Sequence, residues 1–122
     1  MSKPVSPGTV AASLEEYWSP RVVAELDDSY VKVAKVLGSF VWHAHDQEDE
    51  LLYVLKGRLR IEFENGSVDL AEGDTYVVPK GVRHHPVAED ECHVMLIERK
   101  STRHTGSEIT ERTRSLEEQL RR

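Results

Sequence analysis

The sequence of 122 residues has one cysteine, Cys92, and that scarcity excludes several things at once. No intrachain disulfide can form, no CxxC metal or redox pair exists, and nothing calls for an oxidising compartment. Long apolar runs are also missing. No stretch approaches the roughly 18 residues of a membrane span, and the N-terminus, MSKPVSPGTVAASLEEYW, lacks the apolar core of a secretion signal. The expectation is a cytoplasmic, unprocessed protein with no membrane partner. Excess positive charge is absent too: 22 acidic against 16 basic side chains give a net charge of −6, which repels phosphate backbones at long range. No nucleic-acid partner is expected. Nor is there an internal repeat of the solenoid kind.

What is present suits one soluble domain. The composition, 39% hydrophobic and 31% charged, is that of a globular chain, and the length buries enough surface to fold without covalent staples. Residues 1–29 read as an N-terminal arm with a short helix, 30–100 as a strand-rich domain and 101–122 as a polar tail. In the arm, Ser13-Leu14-Glu15-Glu16 fits a capping box that starts a helix, which Pro20 stops. In the tail, Ile109, Leu116 and Leu120 recur at helical spacing, which predicts a helix over Ser107–Arg121.

From Tyr30 to Arg99, short segments rich in Val, Ile, Leu and aromatics alternate with Gly38, Gly57, Gly66, Gly73 and Gly81, the texture of an all-β sandwich or barrel. Strands are predicted at Tyr30–Leu37, Phe40–Ala44, Leu51–Leu55, Thr75–Val78, His84–Ala88 and Cys92–Glu98. Leu59, Ile61 and Phe63 alternate with charged residues, so Leu59–Glu64 presents one apolar face. Asn65-Gly66 follows, the favoured type I′ pair, and predicts a hairpin with Ser67–Leu70.

Four of the six histidines fall in two clusters, His43/His45 and His84/His85. On a strand, residues i and i+2 share a face, so His43 and His45 present two imidazoles together while Ala44 points away. Such a pair suits a transition metal better than an apolar core, where both rings would compete for scarce acceptors. Glu50 opens the apolar run Leu51-Leu52-Tyr53-Val54-Leu55, where an unpaired carboxylate is costly and a cation would compensate it. Glu48 and Asp49 are alternatives for this acid, if the loop runs differently. The turn Pro79-Lys80-Gly81-Val82-Arg83 delivers His84 at a strand start. His85, one residue on, is expected on the outer face, and Trp42 and Tyr53 as core or interface aromatics. Cys92 is expected as a small buried hydrophobe, with His93 on the other face of its strand.

At these residues the chain resembles the cupin superfamily. Gly38, His43, His45, Glu50 and Gly57 match its first motif, and Gly73, Pro79, Gly81 and His84 its second. Ala88 stands where many members have asparagine, and four residues rather than five separate Gly38 from His43; neither position is a ligand. Glu50 alone among the nearby acids has the family spacing to Gly57. The resemblance spans about residues 30–99 and is to a subgroup of small stand-alone bacterial cupins. His104-Thr105-Gly106 is similar to an Asn-Thr-Gly signature that follows the barrel in such chains, with His in place of Asn, and carries little functional weight as a loop feature.

The resemblance implies an all-β double-stranded β-helix, the RmlC-like jelly-roll barrel, with a short N-terminal helix and a C-terminal helix. It implies that His43, His45, Glu50 and His84 hold one divalent transition-metal ion: Fe, Mn, Ni, Cu or Zn. Three neutral imidazoles and one carboxylate leave the ion open positions for a small oxygenated molecule. A mononuclear metal-dependent enzyme is therefore expected, an oxidoreductase (dioxygenase), an isomerase or a decarboxylase. The alternative is a non-catalytic cupin that binds or senses a small ligand or metal. Barrels of this size often pair through their outer sheet, so a homodimer is expected.

Overall fold

A computed structural model describes residues 3–106 and 114–120 of the chain. Its elements in order are α1 (Pro7–Ser13), β1 (Arg21–Leu26), β2 (Ser29–Ser39), β3 (Glu50–Lys56), β4 (Leu59–Phe63), β5 (Gly66–Leu70), β6 (Thr75–Val78), β7 (His84–Arg99) and α2 (Leu116–Leu120). The strands pair antiparallel in the order β1-β2-β7-β3-β6, while β4 pairs with β5 and with the start of β7. This is the expected all-β jelly-roll barrel.

The long β2–β7 ribbon decides where the site lies. His84 and Glu98 sit near opposite ends of β7, and straight strand would hold them roughly 45 Å apart at about 3.3 Å per residue. Both nevertheless approach Glu50. The ribbon therefore bends, and its register shifts between Val36 and Gly38, opposite the exposed Glu89-Asp90-Glu91. The sequence predicts two strands here, broken at residues 89–91. One continuous strand is found, because β2 keeps pairing with it through the irregularity.

Inside the barrel, alternate residues of each strand form the core: Ala34 and Val36, Leu52 and Val54, Leu59 and Ile61, Cys92 and Val94. Burial pushes the Cys92 thiol up to about 12, so it is inert at neutral pH. A thiol reagent such as Ellman's is expected to leave the native protein unmodified and to titrate one thiol only after unfolding. A second, smaller cluster of Ala11, Val23 and Val33 lies where α1 covers the outer face of β1 and β2.

Several local expectations are corrected. The N-terminal helix begins not at Ser13 but at Pro7, where Ser6 caps the Thr9 amide and proline takes the first turn at no cost in hydrogen bonds. The helix ends at Ser13, and β1 was not foreseen. Phe40–Ala44 forms no strand, only a bridge between His43 and His84. The hairpin stands, but Phe63 pairs with Gly66, so Glu64 and Asn65 make its turn. Centring the turn on Asn65-Gly66 would place Glu62 opposite Asp69. The observed register instead sets Arg60 against Asp69, with Nε–Oδ1 at 2.9 Å, and like charges opposed across a sheet are unfavourable. Of the predicted C-terminal helix, Leu116–Leu120 is found, while residues 107–113 and 121 lie outside the described residues.

Candidate metal centre

Three strands and one extended segment bring the polar residues together. The bridge between His43 and His84, with both backbone hydrogen bonds made at 3.0 and 2.8 Å, aligns the segment before β3 with the start of β7. His43 and His45 therefore face the same side without belonging to a strand. Glu50 is the first residue of β3 and points inward with Leu52 and Val54. His84 follows the Pro79–Gly81 turn, which is tied back by Gly81 N donating to His45 O at 2.8 Å.

All four side chains are buried, at 2%, 4%, 4% and 0% exposure for His43, His45, Glu50 and His84. One ring nitrogen from each of His43, His45 and His84 lies within 4.8 Å of the other two. Glu50 Oε2 is 3.3 Å from His45 Nε2, and Glu50 Oε1 is 3.8 Å from His84 Nε2. The remaining nitrogens of two rings are anchored: His43 Nδ1 bonds Val41 O at 2.9 Å and His84 Nδ1 bonds Val82 O at 3.0 Å. A carbonyl can only accept, so Nδ1 carries the proton and Nε2 keeps its lone pair.

That arrangement fits a metal ion. His45 Nε2 and His84 Nε2 are buried without a hydrogen-bond partner, which is unfavourable unless something accepts their lone pairs. Burial and the nearby His84 ring push His43 down to about 4, which leaves its lone pair free at neutral pH. Burial disfavours charge on Glu50, but the imidazoles of His45 and His84 outweigh it and hold the carboxyl well below its ordinary range. Three imidazoles and a carboxylate are a familiar set for a borderline divalent ion.

Two further buried residues belong to the centre and were missed from the sequence: Lys32 and Glu98. Lys32 Nζ lies 2.8 Å from Glu98 Oε1, a pair shut off from water. Glu98 is paired in register with Glu50, and its carboxylate, Glu50 and His45 form a second group of mutually close ligand atoms. Burial and the Glu50 carboxylate push Glu98 up to about 8. The signal was available: Lys32 is in phase with Ala34 and Val36, and Glu98 with Val94 and Leu96, so each strand carries one charge on its apolar face.

The other candidates fall elsewhere. Asp49 Oδ1 accepts from Lys80 N and Glu48 Oε2 from Ser101 Oγ, so neither competes with Glu50. His85 lies outside, stacked on Trp42 and bonded to Glu62 Oε1 at 2.8 Å. His93 is buried and bonded through Nε2 to Glu91.

His104 departs from its expected role as a peripheral loop residue. It is 7% exposed and lines a cavity of about 50 Å³ together with His43, Glu50 and Glu98. The other walls are apolar, among them Trp18 and Phe40, stacked with ring centroids 4.8 Å apart. Gly106, at φ +64°, lets the tail dock here, because a Cβ at that position would collide with the Ala44 carbonyl between the two histidines. Gly106→Ala is expected to loosen the tail and lower the thermal midpoint by several degrees, measured by calorimetry.

Residues 30–98 match the cupin domain family, more than half of the chain. The chain belongs to the cupin family. The uncharacterized protein YdbB of Bacillus subtilis is 33% identical to this cupin over 85 residues, 69% of this chain and 75% of YdbB. A cupin-2 domain protein of Shewanella frigidimarina is 42% identical, with a TM-score of 0.76 over 79% of this chain and 94% of its own. A Neisseria meningitidis protein is 31% identical, with a TM-score of 0.73 over 80% of this chain and all of its own. No helix among the described residues is long and apolar enough to cross a membrane.

Proposed function

We propose that this cupin is a mononuclear metal-dependent enzyme, its ion held by His43, His45, Glu50 and His84, that acts on a small oxygenated molecule. The observation that carries this reading is the pair of buried, unpartnered imidazole nitrogens of His45 and His84 beside Glu50, next to an apolar cavity. A bound divalent ion supplies Lewis acidity or, with a redox metal, dioxygen binding, which covers isomerase, decarboxylase and dioxygenase chemistry.

The chain's own residues do the rest. Val41 O and Val82 O hold the tautomers of His43 and His84, Glu50 supplies negative charge, and the Trp18 and Phe40 wall excludes bulk water. Lys32 balances the charge of the paired carboxyls, so that the centre does not accumulate negative charge in a low dielectric. A cytoplasmic homodimer goes with this reading: edge strands β1 and β6 leave Leu26 and Val77 60% and 47% exposed, apolar surface available to a second copy.

Elemental analysis of protein purified without a metal-binding tag, followed by substrate screening with the ion found, tests the proposal. About one equivalent of a divalent transition metal per chain is expected, with turnover that is lost on chelation and regained on reconstitution. A metal-depleted sample that turns over substrate as well as the reconstituted one sinks the metal-enzyme reading. One equivalent of metal with ligand binding and no turnover identifies a binding module instead.

A further inference from the structure

His104 reaches the cavity from the tail, and its two ring nitrogens have different fates. Nε2 accepts the backbone N–H of Arg114 at 2.6 Å. An accepting nitrogen carries no proton, so the neutral ring has its proton on Nδ1. No described residue accepts a hydrogen bond from Nδ1, while the ring forms part of the cavity wall. The ring stacks on Phe40 with centroids 5.8 Å apart, and Phe40 meets His43 edge-on at 5.4 Å. His104 is thus one aromatic ring away from the candidate metal centre, with a fixed donor on the wall of a cavity whose other residues, apart from His43, Glu50 and Glu98, are apolar. Burial holds it down to about 3, so it donates without becoming a cation at physiological pH.

We infer that His104 is a ligand-binding residue whose Nδ1–H donates to an oxygen of a small, largely apolar carboxylate or carbonyl compound, while another oxygen of that compound meets the metal centre. The inference rests on reading the cavity as a small-molecule site. An N–H that no described residue accepts, on the wall of a largely apolar cavity, is free to donate, and a ligand oxygen can take it up. The Arg114 amide fixes which proton is offered. The Trp18 and Phe40 wall favours a ligand with a flat or apolar body, and neutral His104 asks only for an acceptor.

The test uses benzoate, which can coordinate through one oxygen and present the other, and imidazole, which coordinates through nitrogen and presents only a donor. In the metal-free protein, multiple-bond 15N NMR is expected to show the His104 proton on Nδ1, and added benzoate is expected to shift that resonance. In cobalt-loaded protein, followed by visible absorption, His104→Leu is expected to weaken benzoate on the order of tenfold, the size of a hydrogen bond to a charged group. Imidazole affinity should stay within about twofold, and His104→Asn should recover part of the benzoate affinity. A proton on Nε2, an Nδ1 resonance that benzoate does not move, or equal weakening of both probes overturns the inference. Failure to take up cobalt sinks the metal reading alone, because the metal-free NMR measurement then decides the role of His104.

Discussion

Replacing His45 or Glu50 by alanine is expected to leave the protein folded and nearly free of metal. Losing only an outer partner of a metal ligand typically costs roughly 10–100-fold in affinity, so losing a direct ligand should exceed that. The fold should tolerate either change. Among protein atoms His45 Nε2 has no hydrogen-bond partner, and Glu50 is a buried carboxyl beside a second one, Glu98. Either change gives up the His45–Glu50 contact at 3.3 Å, but it also removes an unpartnered buried nitrogen or one of two adjacent buried carboxyls. Circular dichroism should therefore remain β-rich in both variants, while mass-spectrometric metal content falls from about one equivalent to under a tenth. Unchanged metal content in both would show that the ligand assignment is wrong.

Lys32→Met is expected to be strongly destabilising, at about 3–5 kcal/mol, because it removes the cation that faces the adjacent buried carboxyls of Glu98 and Glu50. Lys32 and Glu98 are exposed by only 1% and 2%, so water cannot replace the lost partner. For a chain of this size that corresponds to a drop in midpoint on the order of 10 °C. Lys32→Met combined with Glu98→Gln removes the cation together with the acid it faces, and much of the loss should return. A double-mutant cycle read by urea unfolding measures the coupling. Additive effects would show that the pair acts independently and that Lys32 contributes only its packing.

The proposed ligand residues are legible in the chain alone because their signals are local. His43 and His45 are two apart, Glu50 stands at the head of an apolar run, and His84 follows a Pro–Gly turn. The strand class was legible for a similar reason, since an alternation of period two survives in each segment. The hairpin was legible except for its turn, where cross-strand charge overrode the preference of Asn-Gly. The helix start was misplaced because Ser6-Pro7 and Ser13–Glu16 both offer sound caps, and packing of Ala11 against Val23 and Val33 chose the first.

The sequence by itself determined the barrel class and a set of imidazoles and a carboxylate, because both are written in residue type and short spacing. Only the tertiary structure decided what surrounds them. Lys32 and Glu98 each stand out as a charge on an apolar strand face, but the chain does not say that they meet, and His104 reads there as a loop residue. The bend in the β2–β7 ribbon brings Glu98 and His84 to the same carboxylate, and the Gly106 contact with Ala44 brings His104 to the cavity. Burial then changes their meaning, since a charge or an N–H that water would satisfy must find its partner inside the protein or in a bound ligand.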